Sequence, residues 1–375
     1  MSGITTMTGV TGNATLTKLI QDSQATHAQL NKISNQVSTG LIADNYAGLG
    51  TGAPVSLNLH PQIASMQAWQ NNVDAATGRM SVAQSSLTQI QSIAANFYAQ
   101  LNNVQGVNTS AIDTIAASAR DALRQVAGLL DTQDGGVYVF AGQDTGNPPV
   151  LNPDQITDTT ANPTGFFATI SSAVSLLGQP GHDAATVAQA TLAAARYTGV
   201  AGPPSPFSNF LSKSDPPALP SVQVGQNLTE TTGLSASHNG LIPSTVDDGS
   251  STTTGSYMRD VLRGLATIGS LSGSQANVAG FQDLVQNTRT SMSGAIGAMA
   301  RDAGVLGNVQ SSLTATQSRL ADTQTALTGQ VSSAEEVDMA AALSKLTQVQ
   351  TQMQASYQLI ATLNSLSLAK FLPAA

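Results

Sequence analysis

"MQAWQNNVDAATGRMSVAQSSLTQIQSIAANFYAQLNNV", residues 66–104, decides the fold. Met66, Trp69, Val73, Ala76, Met80, Ala83, Leu87, Ile90, Ala94, Phe97, Leu101 and Val104 step 3,4,3,4 without a break, and all are apolar. The period is that of a helix with one buried stripe. A straight helix drifts off so strict a repeat, so its length predicts supercoiled packing against a partner. A helix over 61–105 would be about 65 Å long. Few compact domains need that length.

Similar seams stand at both ends of the chain. Over 15–39 the positions are Leu16, Leu19, Ser23, Thr26, Leu30, Ile33 and Val37, a narrow stripe with a polar middle. The last helix is predicted from 334 to 367, with Met339, Ala342, Leu346, Val349, Met353, Ser356, Ile360, Leu363 and Ser367 on its seam. Ser332 and Glu335 have the spacing of a capping box for it. Residues 40–60 read as a Gly-rich connection, and Gly106 and Asn108 as a break. A further seam follows over 110–130, through Ile112, Ile115, Ala119, Ala122, Val126 and Leu129. Asp134-Gly135-Gly136 before Val137–Phe140 predicts a short hairpin.

Residues 150–255 differ in kind, being rich in Pro, Gly, Ser and Thr. Short helices are expected near 165–177 and 184–197, and strands within 220–235. Helix returns over 256–271 and 276–329. The fold class is therefore mainly α: a long rod-like antiparallel helical bundle or coiled coil from both chain ends, with a small hairpin and an inserted mixed α+β or β middle domain. The expected divisions are 1–60, 61–149, 150–255, 256–333 and 334–375. Residues 160–250 are expected to project outward and make little contact with the helical core.

Composition narrows the function. Of 375 residues, 10% are charged and 4% aromatic, so Ser, Thr, Gln and Asn take the place of charge. Such faces pack together with few charges to desolvate. The net charge is −8 and the basic residues are scattered, which excludes a nucleic-acid footprint. Without cysteine there is no disulfide, thiolate metal site or thiol catalysis. No apolar run is long enough for a membrane span, and the first residues lack the basic and apolar regions of a cleaved secretory signal.

"LNKISNQVSTG", residues 30–40, and "AEEVDMAAALSKLTQVQTQMQASYQLIATLNSLSLAKFL", residues 334–372, resemble the N- and C-terminal signatures of the bacterial flagellin family. The likeness lies around Gln36-Val37-Ser38-Thr39-Gly40 at one end and in Val337-Asp338-Met339-Ala340 and the Gln348–Gln354 run at the other. "VYVFAGQDTGNPP", residues 137–149, is similar to the branch that joins hook to filament, through Tyr138, Phe140, Gly142, Thr145, Pro148 and Pro149. Where the family usually continues with a basic residue and a Ser-Asp-Asp-Pro-like stretch, this chain has "LIADNYAGLGTGAP". The family's conformation there is not carried over.

The resemblance implies a structural axial component of the flagellum, a junction protein or alternatively a filament-forming flagellin. It implies export through the flagellar type III channel, and a homo-oligomeric helical or ring assembly held by the terminal seams. It implies a neighbouring hook-associated protein, flagellin and an export chaperone as partners, without nucleic acid, membrane insertion or cofactor.

Chemical sites have blander readings. His27, His60, His182 and His238 are dispersed. "GLGTG", 48–52, has no strand before it and no Lys-Ser/Thr after it, so it reads as a connecting loop. Glu335, Glu336 and Asp338 read as first-turn acids complementing a helix dipole. Lys213, Asp215, Glu230 and His238 show no recognisable spacing, which leaves an enzyme or binding module in 150–255 as a remote alternative.

Overall fold

The computed structural model describes residues 8–104, 109–197, 204–213, 218–239 and 253–369. In chain order the elements are α1 (Thr8–Thr39), α2 (Ala53–Asn103), α3 (Thr109–Leu130), β1 (Gln133–Asp134), β2 (Val137–Tyr138), α4 (Phe166–Ser175), α5 (Ala184–Arg196), β3 (Ser221–Gly225), β4 (Leu228–Thr231), α6 (Tyr257–Gly269), α7 (Phe281–Glu335) and α8 (Met339–Ala369). The chain is mainly α, with long helices from both ends and small sheets between, as the periodicity predicts. Gly106 and Asn108, read as a break, lie outside the described residues, as do Asp215 and the side chains of Leu16 and Leu363.

Several boundaries need correction. α2 begins at Ala53 and runs through Pro61, so residues 53–60 are helix and only 46–52 form a 3-10 turn. Proline removes one backbone donor from a helix interior. Here the surrounding turns hold regardless, and Pro61 still accepts a bond from Ser65 Oγ at 2.9 Å. α7 extends to Glu335, so Ser332 does not cap α8. Its hydroxyl donates to Glu336 Oε1 at 2.9 Å. Asp338 is the cap, its Oδ1 accepting from Ala340 N at 2.9 Å and Ala341 N at 3.1 Å.

The packing forms two compact units, 1–67 with 321–375 and 68–320. In the second, the seam that α2 carries is core from Val73 to Leu101 and on to Val104 just past its end: all ten positions are buried, while Trp69 is half-buried. Met66, in the first unit, is half-buried too. α3 differs from expectation. Its deepest face is Ile112, Ala116, Ala119, Leu123, Val126 and Leu130, widened by Ala122 and Ala127. That is the broad face of a globular helix instead of a narrow seam.

The turn at Gly135 and Gly136 (φ 58° and 82°) joins β1 to β2 in register Gln133 to Tyr138. β3 pairs antiparallel with β4, burying Val222 and Val224 and leaving Ser221 and Gln223 out. Asn72 Nδ2 on α2 donates to Gln223 O at 3.2 Å.

The middle segment does not stand apart. Phe166, Phe167, Ile170, Val174, Val187, Phe207, Leu211 and Leu234 share one apolar core with α2, α3, α6 and α7. The expectation of little contact is corrected, and α6 is the reason: all its residues are buried, including Arg259, Asp260 and Arg263. Gly264 lets α7 approach, since a Cβ there would lie 2.8 Å from Met292 Cγ.

Arg259 ties the loops of the segment to this helix. Its Nε donates to Ser237 O at 2.8 Å, its Nη1 to Ala195 O at 2.8 Å and Tyr197 O at 3.4 Å, and its Nη2 to Leu211 O at 3.5 Å. The guanidinium also lies 5.2 Å from the Phe207 ring centroid. Burial lowers its pKa to about 10, which leaves it charged at neutral pH. Asp260 accepts from Thr253 Oγ1 at 2.6 Å and Thr254 N at 2.8 Å.

Removing this guanidinium orphans buried carbonyls at the end of α5 and in two loops. Arg259→Met is expected to lower the unfolding free energy in urea by about 3 kcal/mol. A loss below about 1 kcal/mol would show that the loops hold without it.

Candidate assembly interface

In the unit formed by 1–67 and 321–375, α1 and α8 pair along the two predicted seams. Ser23 and Ile33 are buried on α1, with Leu19, Thr26, Leu30 and Val37 half-buried around them. On α8, Ala342 and Val349 are buried and Leu346, Met353, Ser356 and Ile360 half-buried, while Met339 is 41% exposed. Two helices meeting on narrow stripes leave the stripe edges open. Across the pair His27 Nε2 hydrogen-bonds Tyr357 OH, with the rings edge to face at 5.8 Å.

The antiparallel register is set where α1 stops. Gly40 takes φ 74°, the left-handed turn that ends a helix, and its N–H bonds Gln36 O at 2.9 Å. Thr39 Oγ1 donates to Asn35 O at 2.8 Å and accepts from Leu41 N at 3.2 Å, and Gln36 Nε2 donates to Ile42 O at 2.8 Å. The released backbone then meets the link between α7 and α8. Val337 N donates to Gly40 O at 2.9 Å and Ile42 N to Glu335 O at 2.7 Å, an antiparallel bridge of Leu41 with Glu336.

The two terminal motifs, Gln36–Gly40 and Val337–Ala340, thus meet in this unit. Glu335 serves twice, since its carboxylate accepts from Ser56 Oγ and pairs with His60 Nε2 at 2.9 Å. Those hydrogen bonds hold its pKa below the ordinary carboxylate value. Only Asp338 of the three expected first-turn acids caps α8; Glu335 and Glu336 belong to the clasp.

Periodicity missed the outer faces of this pair. Ile20 (44%), Leu343 (48%), Tyr357 (46%) and Leu359 (55%) are exposed beside the seam positions. Together with Met339 they leave apolar surface on both helices. Closing a half-open leucine against a neighbour contributes about 1 kcal/mol. On α8 the available signal was the step of four from Met339 to Leu343 and from Met353 to Tyr357, which widens the counted seam.

In the unit of 68–320, "VYVFAGQDTGNPP" forms a tight ledge. Phe140 is fully buried, Tyr138 N donates to Thr145 O at 3.0 Å, and Gly142 has φ 63°. Phe140 O accepts from Ala236 N at 2.9 Å and Pro149 O from Ser208 N at 2.9 Å, so both ends of the ledge receive the middle segment. Pro149 is buried and Pro148 half-buried. The "GLGTG" stretch lies in the 3-10 turn, capped by Asn45 Oδ1 on Gly48 N at 2.9 Å. Among the described residues no group of three or more His, Asp or Glu is placed to hold a metal ion, and no helix is long and apolar enough to cross a membrane.

The sequence profile of the bacterial flagellin N-terminal helical region matches residues 10–145, and that of the C-terminal helical region matches residues 290–372. The chain belongs to the bacterial flagellin family. A comparison with curated proteins finds no match. As a member of that family the chain is a structural component of the extracellular flagellum that assembles as a helical homo-oligomer. Both matched regions contribute to the α1–α8 pair and its clasp, and the N-terminal one ends inside the ledge.

Asp131 makes stability of this flagellin-family chain depend on pH. Its Oδ1 accepts from Val150 N at 2.8 Å, yet burial raises its pKa from 3.8 to about 6. The folded state therefore holds a proton that the unfolded chain releases. The contribution is fully present below pH 3.8 and is lost as pH rises through 6. Asp131→Asn is expected to stabilise the protein by about 1 kcal/mol at pH 7.5, the full shift being reduced by partial solvent screening. Near pH 4 it should change nothing. Urea unfolding at the two pH values checks both.

Proposed function

We propose that this chain joins hook to filament as a hook-associated junction protein, through coiled-coil packing of its terminal helices. The observation that supports assembly through these helices is the half-open α1–α8 pair: seams only partly covered by each other, with Ile20, Leu343 and Leu359 outside them. The assembly seams would be those of Leu16, Leu19, Leu30, Ile33, Val37, Met339, Ala342, Leu346, Val349, Met353, Ile360 and Leu363; Ile33, Ala342 and Val349 are closed within the pair, and neighbouring copies would cover the half-open positions around them. The junction branch is favoured by the likeness of Tyr138, Phe140, Gly142, Pro148 and Pro149 to that branch. A filament-forming flagellin would use the same terminal surfaces with different neighbours.

On this reading the protein leaves through the flagellar type III export channel without a cleaved signal, with a chaperone covering the apolar face of α8 beforehand. It sits between another hook-associated protein and flagellin, and it is not an enzyme.

A deletion strain separates the two roles. Loss of a junction protein leaves hooks while monomeric flagellin is still exported to the medium. Loss of the only filament protein leaves hooks and no such monomer. In the same strain, Leu346→Asp should be exported yet fail to restore attached filaments. Burying a carboxylate in the closed seam costs about 3 kcal/mol or more. Normal attachment by that variant would remove the seam from the joint.

A further inference from the structure

On the unit of 68–320, α7 and α2 frame an open groove of about 350 Å³, lined among others by Tyr98, Arg289, Ser293, Gly294, Gly297 and Arg301. Arg289 lies 5.6 Å from the Tyr98 ring centroid and donates to Gln286 Oε1 at 3.2 Å. Neither Arg289 nor Arg301 has a carboxylate partner among the described residues, in a chain where acidic residues outnumber basic ones by 22 to 14. The floor is low: a Cβ on Gly297 would meet nothing closer than Arg301 Nη1 at 3.7 Å, so the fold itself does not demand glycine there.

The same unit carries a stretch of opposite charge. From residue 125 to 195 there is no Lys or Arg, while Asp131, Asp134, Asp144, Asp154, Asp158 and Asp183 fall within that stretch. Residues 157–164 are almost wholly exposed and held in shape by Asp158 Oδ1, which accepts from Thr160 N at 2.8 Å and Ala161 N at 3.0 Å. Asp154 beside them is exposed too. A helical assembly of identical chains needs two different, complementary patches on one chain, because a self-complementary patch closes after two copies.

We propose that the Arg289–Arg301 groove takes the ordered acidic loop around Asp154 and Asp158 of a second copy of this chain. The inference rests on the assembly reading above and adds a lateral contact away from the terminal seams. Guanidinium groups pair with carboxylates in two-point geometry, and charge complementarity of this kind sets which faces meet. The glycine floor lets the loop backbone come close.

The test is polymerisation of the purified full-length chain, with the critical concentration read by sedimentation. Arg289→Glu/Arg301→Glu should raise it about tenfold, and so should Asp154→Lys/Gln155→Lys, which spares the Asp158 turn. A mixture of the two variants should co-sediment near the wild-type concentration, with circular dichroism and thermal midpoint unchanged in each. Wild-type polymerisation by the arginine variant, or a mixture no better than its components, overturns the proposal. Leu346→Asp serves as the control. If it polymerises normally, the terminal-seam reading falls. If it fails while the arginine variant assembles, only the groove contact falls.

Discussion

Two backbone hydrogen bonds, Val337 N to Gly40 O and Ile42 N to Glu335 O, fix the register on which the terminal unit depends. Narrow stripes slide easily, because one turn of displacement along a 3,4 seam presents another apolar position. The bridge stops that sliding at one end of the α1–α8 pair. It exists because Gly40 ends α1 in a left-handed turn and α7 breaks after Glu335. Glu335 then anchors the start of α2 through Ser56 and His60. One junction therefore sets the entry of α2 and the facing of α1 and α8.

The unit of 68–320 is organised differently. Its centre is a completely enclosed helix that keeps Arg259, Asp260 and Arg263. Buried charges are costly unless their bonds are supplied, and here loop carbonyls and threonines supply them. The loops need the guanidinium as much as it needs them, since segments with little regular structure have few other partners for their carbonyls. This reciprocity draws a Pro- and Gly-rich stretch into the helical core.

The long elements were legible because their signal is local. The seam from Val73 to Val104, the Asp134–Gly136 turn, α4, α5 and the β3–β4 pair all follow from spacing or turn chemistry within a few residues. What escaped was decided at long range. Nothing near Pro61 says that α2 continues through it. Ser332 and Glu335 have capping-box spacing, but the helix end lies a few residues later, where Gly40 and Ile42 arrive from the far end of the chain. The inclusion of the described residues of 150–239 in the core hinges on Arg259, whose burial no periodicity records, because an arginine inside a helical segment ordinarily marks its wet face. In the terminal unit, the described seam positions other than Met339 are buried or half-buried between α1 and α8. Ile20, Leu343 and Leu359 lay one step off the counted repeat.

The pairing of α1 with α8 carries very little charge: Lys345 is the only ionised side chain along α8, and α1 has Lys18, Asp22 and Lys32 alone beside His27. Contacts made by alkyl groups, amides and hydroxyls are not weakened when dissolved ions shorten the reach of electrostatic fields. The helix-to-helix contacts of such a pair therefore depend little on ionic screening, whether the surroundings are fresh water or brine.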